Sequence, residues 1–195
     1  MHRLATSFVL GFHGCERAVG AKLVAGEPFV ASANDYDWLG SGIYFWESNP
    51  LRGMQFAAEL KGRHQQVDDP CVVGAVIDLG FCLDLLTSTA VSAVKDAYDD
   101  LNSYLSSAGQ RLPNNRLGDD RLLRNLDCAV INHIHEIRAR GGLSPFDSVR
   151  GVFLEGDEIY PGAGFREKTH IQICVRDPRQ IKGVFHVSGE QLRNA

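Results

Sequence analysis

Two hydrophobic periods alternate along the chain. Residues 7–12 and 42–46 are short apolar and aromatic runs, and 71–79 is a near-continuous apolar run, so each predicts a strand. Between them the spacing turns helical. Ala18, Val19, Leu23 and Val24 share a face that stops at Gly26, a residue suited to a helix C-terminus. Asn49-Pro50 opens a second helix to about residue 61, because the missing N–H of proline costs nothing in a first turn. Residues 87–106 and 119–138 also carry helical spacing, with Leu122, Leu123, Leu126, Val130, Ile131 and Ile134 on one stripe. Strands resume over 148–154, 169–175 and 181–187. The pattern predicts a single α+β domain over 1–195. Its expected core is two packed β-sheets, antiparallel or mixed, with a helical insertion over 85–144 on one side.

Composition adds constraints. A hydrophobic content of 44% is enough for a normal core. A net charge of -4 and a pI near 5.9 give no bulk attraction to nucleic acid. No apolar run reaches the ~20 residues that span a bilayer, and 8–12 is too short for the core of a signal peptide. The five cysteines are odd in number, widely spaced and without a CxxC pair, so a reduced, cytoplasmic protein is expected. His133 and His135 point apart on a helix, so no metal site is expected there. Gly40-x-Gly42 lacks the third glycine and the βαβ setting of a dinucleotide fingerprint.

Three segments carry candidate chemistry. Phe12-His13-Gly14 ends a strand. Gly40-Ser41-Gly42-Ile43-Tyr44-Phe45 leads into a helix. Phe165-Arg166-Glu167-Lys168-Thr169-His170-Ile171-Gln172 is a loop running into a strand. A glycine after a strand-ending histidine exposes peptide groups that can pair with a carboxamide, and a tyrosine face can stack on a flat ring. In order and spacing these segments resemble the PARP-like, diphtheria-toxin-type ADP-ribosyltransferases. The resemblance covers residues 8–57 well and the final strands moderately.

The resemblance implies an NAD-dependent mono-ADP-ribosyltransferase acting on a protein or nucleic acid, with NAD as co-substrate and no membrane attachment. It further implies a toxin or phage-defence role, with a neutralising antitoxin as a partner. By resemblance, His13 holds the adenine-side ribose, Gly14 the carboxamide, and Tyr44 stacks on nicotinamide, all three converging on one cleft. Phe56 sandwiches the ring from the other side, and Gly40 and Gly42 let backbone approach the ligand. His170 falls near the place of the family's catalytic glutamate, so the pattern departs there. Strand alternation puts Lys168, His170 and Gln172 on one face and Glu167 on the other. Glu167 is expected to supply the catalytic charge from the glycine-rich loop, with Gln172 positioning the ribose. Glu155, Asp157 and Glu158 are further acidic candidates. The rival readings are NAD hydrolysis or RNA 2′-phosphate removal on the same fold, and a module that binds NAD or ADP-ribose without turnover.

Overall fold

The computed structural model describes residues 8–62, 67–116 and 123–193. The expected helix start at 119 and Leu122 lie outside those residues, as does residue 7 of the first strand. The elements run β1 (Phe8–Glu16), α1 (Arg17–Val24), β2 (Ile43–Glu47), α2 (Pro50–Gly62), β3 (Pro70–Asp78) and β4 (Cys82–Asp84). They continue α3 (Ser88–Ser107), α4 (Asn125–Arg140), β5 (Ser148–Phe153), β6 (His170–Val175), β7 (Ile181–His186) and α5 (Gly189–Arg193). Local chemistry explains several boundaries. At the end of α1, Gly26 takes φ +100°, and Glu27 N–H closes on Lys22 C=O, the expected glycine stop. Thr87 caps α3 by accepting from Ala90 N–H.

The α+β composition is as expected, but the two packed sheets are not. The described strands form one seven-stranded sheet in the order β4-β5-β6-β2-β1-β3-β7. Neighbours are antiparallel except β4 and β5, which are parallel. The physical reason lies at Gly11 in the interior strand β1. A Cβ there would lie 2.5 Å from Ile77 Cδ1 and 2.8 Å from Phe45 Cβ, so side chains of both flanking strands meet over a missing one. Ile43, Phe45, Ile173 and Val175 thereby share a core with Ala75 and Ile77 while the hydrogen-bonded ladder stays continuous.

The sheet has two faces. α1 covers one of them through Gly20, against Cys15, Cys71 and Val73. On the other, the helical face, α2 packs on β1 and β3, and α3 and α4 pack on β4 to β6. Within 85–144, α3 and α4 are helices as the periodicity implies. It does not sit apart from the core, however. Ala90, Ala97, Leu101, Val130, Ile131 and Ile134 close over Leu83, Val149 and Cys174 of the sheet.

Candidate active site

The interior strand β1, between β2 and β3, has two unequal seams. With β3 it is registered from Phe8↔Asp78 to Glu16↔Pro70. With β2 the ladder consists of Gly11↔Glu47 and Phe12↔Trp46. Ser48 N–H donates to Leu10 C=O across this second seam. Peptide groups alternate sides along a strand, so Leu10, Phe12 and Gly14 all direct N–H and C=O towards β2. Gly14 therefore holds its peptide edge just past the last β1–β2 pair. Its glycine identity also has a packing cause: a Cβ there would lie 2.0 Å from Gly53 C=O in the first turns of α2.

The residues expected to converge do so only in part. Tyr44 lies on the helical face, where its hydroxyl donates to Gly40 C=O (2.7 Å) and accepts from Leu39 N–H (3.0 Å). Burial pushes its pKa well above the usual tyrosine value. His13 leaves the opposite face, packed between Phe29 and Phe45. The two side chains are thus separated by the sheet, although His13 Nδ1 donates to the Tyr44 carbonyl at 2.9 Å. Burial lowers the His13 pKa, and that hydrogen bond only partly offsets it. The cause is parity, since His13 shares its side with Phe45 and Tyr44 points the other way. Gly40, at φ +79°, packs against Asn132 and Ile131, and Gly42 against Cys174 and Val175. Both glycines serve close packing of the chain on itself.

Gln172 and His170 share the helical face with Tyr44. Gln172 is registered with Trp46, and its side-chain carbonyl accepts from Trp38 Nε1–H. Phe56 of α2 lies 4.8 Å from Trp46, ring centre to ring centre. His170 lies between Trp46 and Phe153, with centroids 6.2 and 5.6 Å away. Its Nδ1–H donates to Lys168 C=O, which leaves Nε2 as a lone-pair acceptor. Burial lowers the His170 pKa and keeps the ring neutral. Three polar atoms here are enclosed without a hydrogen-bond partner: Trp46 Nε1, Arg52 Nε and His170 Nε2. Their residues are 3%, 5% and 5% exposed, and Arg52 lies over the Trp46 ring. Unpaired buried donors and acceptors are costly and uncommon, so this cluster marks a special place in the fold.

The acidic residues divide sharply. Glu167 is exposed in the loop before β6, with its side chain beside Gly156. Asp157 and Glu158 are exposed as well. Glu155 is buried at 7% exposure and accepts from Arg52 Nη2 through both oxygens, at 3.0 and 2.8 Å. Lys168 Nζ joins it at 3.3 Å and also pairs with Glu59. Burial raises the Glu155 pKa, but Arg52 and then Lys168 reverse this, so the carboxyl titrates below its ordinary range. Arg52, Trp46 and Trp38 are not evident as site residues from sequence. Arg52 and Glu59 stand two helical turns apart on one face of α2, a weak signal that a charge pair faces inward. The other carboxylate on Arg52, Glu155, is 103 residues away, which no local spacing discloses.

A cavity of about 480 Å³ is lined by α1, β3, β7 and α5, with Met54 of α2. Its lining includes Met54 and Val72 but not Gly14, Tyr44 or Gln172. Among the described residues no helix is long and apolar enough to cross a membrane, and no group of three or more metal-ligating side chains gathers.

The chain is similar to Uncharacterized protein MJ0359 of Methanocaldococcus jannaschii, with 24% identity over 187 residues, covering 88% of this chain and 83% of that protein. No protein-family profile matches the chain. No solved structure matches it.

Proposed function

We propose that this chain binds NAD⁺ and transfers its ADP-ribose to a macromolecular acceptor, a protein or a nucleic acid. The observation that carries this reading is the peptide edge of Gly14, set past the last β1–β2 pair with Tyr44 and Gln172 on the adjoining helical face. A carboxamide needs one acceptor and one donor side by side, and a single strand residue supplies both. Tyr44 offers an aromatic ring on the same face of the sheet, and Phe56 contributes from α2 through its contact with Trp46. Gln172 already accepts from Trp38, so its NH₂ remains to donate to a ribose hydroxyl.

Loss of nicotinamide builds positive charge on the ribose in an oxocarbenium-like transition state, which a nearby carboxylate stabilises. On burial and position that carboxylate is Glu155 rather than Glu167, because Glu155 is ionised and enclosed on the helical face beside Arg52 and Trp46. His13 does not share that face, so its role in this reading is to fix the seam through the Tyr44 carbonyl. A toxin or defence role, with an antitoxin as partner, remains part of the proposal.

One observation favours a second reading. Both Glu155 oxygens are engaged by Arg52, and Gln172 carries no charge. A module that binds NAD⁺ or ADP-ribose without turnover would look the same. Nicotinamide release from NAD⁺ separates the two. Radiolabelled NAD⁺ offered to protein, RNA and DNA pools then identifies the acceptor. Label in one pool supports transfer, free ADP-ribose alone supports hydrolysis, and no release with retained binding supports the module.

A further inference from the structure

Cys15 and Cys71 are registered partners on β1 and β3, on the face opposite the helices α2 to α4. Both are free thiols, and their sulfur atoms lie 3.7 Å apart. Directly paired residues on antiparallel strands have Cα atoms about 4.5–5.5 Å apart, inside the ~4.4–6.8 Å that a disulfide spans. Closing an S–S bond of about 2.05 Å therefore asks for side-chain rotation and no displacement of the strands.

The surroundings make the two sulfurs unequal. Above the pair, α1 presents only the backbone of Gly20, where a Cβ would meet Cys71 Sγ at 2.7 Å and Cys15 Sγ at 3.4 Å. Cys71 lines the cavity of about 480 Å³ together with Arg17, Met54, His186 and Leu192, and Cys15 does not. Cys71, 9% exposed against 7% for Cys15 and on the cavity wall, is thus the nearer of the two to an entering reagent, with Cys15 beside it. Burial raises both thiols. The Cys15 thiol is pushed up to about 12, with the neighbouring Cys71 adding to the effect. Cys71 gains some relief from its hydrogen bond to Cys15 and from the Arg17 charge.

We propose that Cys71 and Cys15 form a thiol–disulfide modification site, opened by this cavity to low-molecular-weight disulfides of the glutathione class. The Cys71 thiolate attacks one sulfur of the reagent, whose S–S bond breaks and releases one thiolate. That thiolate takes up the proton Cys71 has lost. Cys15 then attacks the Cys71 sulfur of the mixed disulfide, releasing the second thiol with the Cys15 proton. Two electrons pass from the cysteine pair to the reagent disulfide, and the protein keeps an S–S bond between β1 and β3 next to Gly14. The site stands independently of the NAD⁺ reading.

The test uses the full chain, oxidised glutathione, and peptide mapping after alkylation of remaining thiols. Wild type should lose two hydrogens and yield a linked Cys15–Cys71 peptide. The rate should rise about tenfold per pH unit above neutrality, as expected when the thiolate is the minor form. Cys15→Ser should stop at one glutathionyl group on Cys71, and Cys71→Ser should leave Cys15 unmodified at matched times. The proposal is overturned if wild type gives no Cys15–Cys71 link. Modification that starts at Cys15, or that is equally fast at Cys82, would overturn it as well.

Discussion

The two seams of β1 differ in kind. Towards β3, nine residues are paired in register, from Phe8↔Asp78 to Glu16↔Pro70. Towards β2, two pairs suffice, and beyond them the peptide edge of Gly14 is not taken up by the ladder. The helical face beside that second seam is also where Trp46, Arg52 and His170 each keep an enclosed polar atom unpartnered. A continuous ladder satisfies its own backbone and has nothing to offer a ligand. Where the ladder stops, the ion pairs of Arg52 and the aromatic packing of Trp46 on Phe56 hold the adjoining face. The proposed site lies at the less complete of the two seams.

The largest effect should come from the charges that hold the incomplete side. Glu155→Ala leaves buried Arg52 with Glu59 alone, so the cost should approach but not exceed the about 3–5 kcal/mol of a fully broken buried pair. Glu167→Ala, at an exposed position, should stay within about 0.5 kcal/mol. Urea unfolding of the two variants checks this, and equal midpoints would mean that the ion pairs do not hold the seam. Next comes Gly14→Ala, whose added methyl meets backbone at Gly53 and should cost about 1–3 kcal/mol. Gly183→Ala on β7, with open space around it, is the control. If both alanines are tolerated alike, α2 does not close on Gly14 as described.

Acid should weaken the fold from below pH 6.5. His13, His135 and His170 all have pKa values lowered by burial, and that of His135 falls to about 3. Between about 3 and 6.5 the unfolded chain binds the proton that folded His135 refuses, so stability drops as pH falls. The slope from this one group is at most about 1.4 kcal/mol per pH unit. Below pH 4.5 Glu155 adds a second loss, because its folded pKa lies under the unfolded value. Chemical denaturation from pH 7 to 4 should show His135→Leu losing less than wild type, and identical slopes would contradict the assignment. The smallest effect is Tyr44→Phe, which removes the hydroxyl bonds to Leu39 and Gly40 and should cost about 1 kcal/mol.

Local pattern discloses much of this arrangement. The Gly26 stop, the Pro50 helix start, the buried run of β3 and the helical spacing between β4 and β5 all correspond to elements of the fold. What escapes local pattern is non-local. β4 has three residues and exists only through parallel pairing with β5, so its sequence carries no period of its own. One sheet in place of two follows from the packing over Gly11, which depends on Ile77 and Phe45 arriving from different strands. At the site, alternation correctly groups His170 with Gln172, whereas Glu167 lies in the loop before β6. The same alternation separates His13 from Tyr44 once their strands are in register, a fact that single-strand reasoning misses.

The central claim is that the Gly14 edge with Tyr44 on the adjoining helical face is an NAD⁺ site. Titration calorimetry of NAD⁺ into wild type and Tyr44→Ala tests it most directly, with urea midpoints confirming that both are folded. Saturable binding by wild type, weakened at least about tenfold in Tyr44→Ala through loss of the stacking face, is the expected result. No binding by folded wild type, or equal affinity in the two proteins, would contradict the claim.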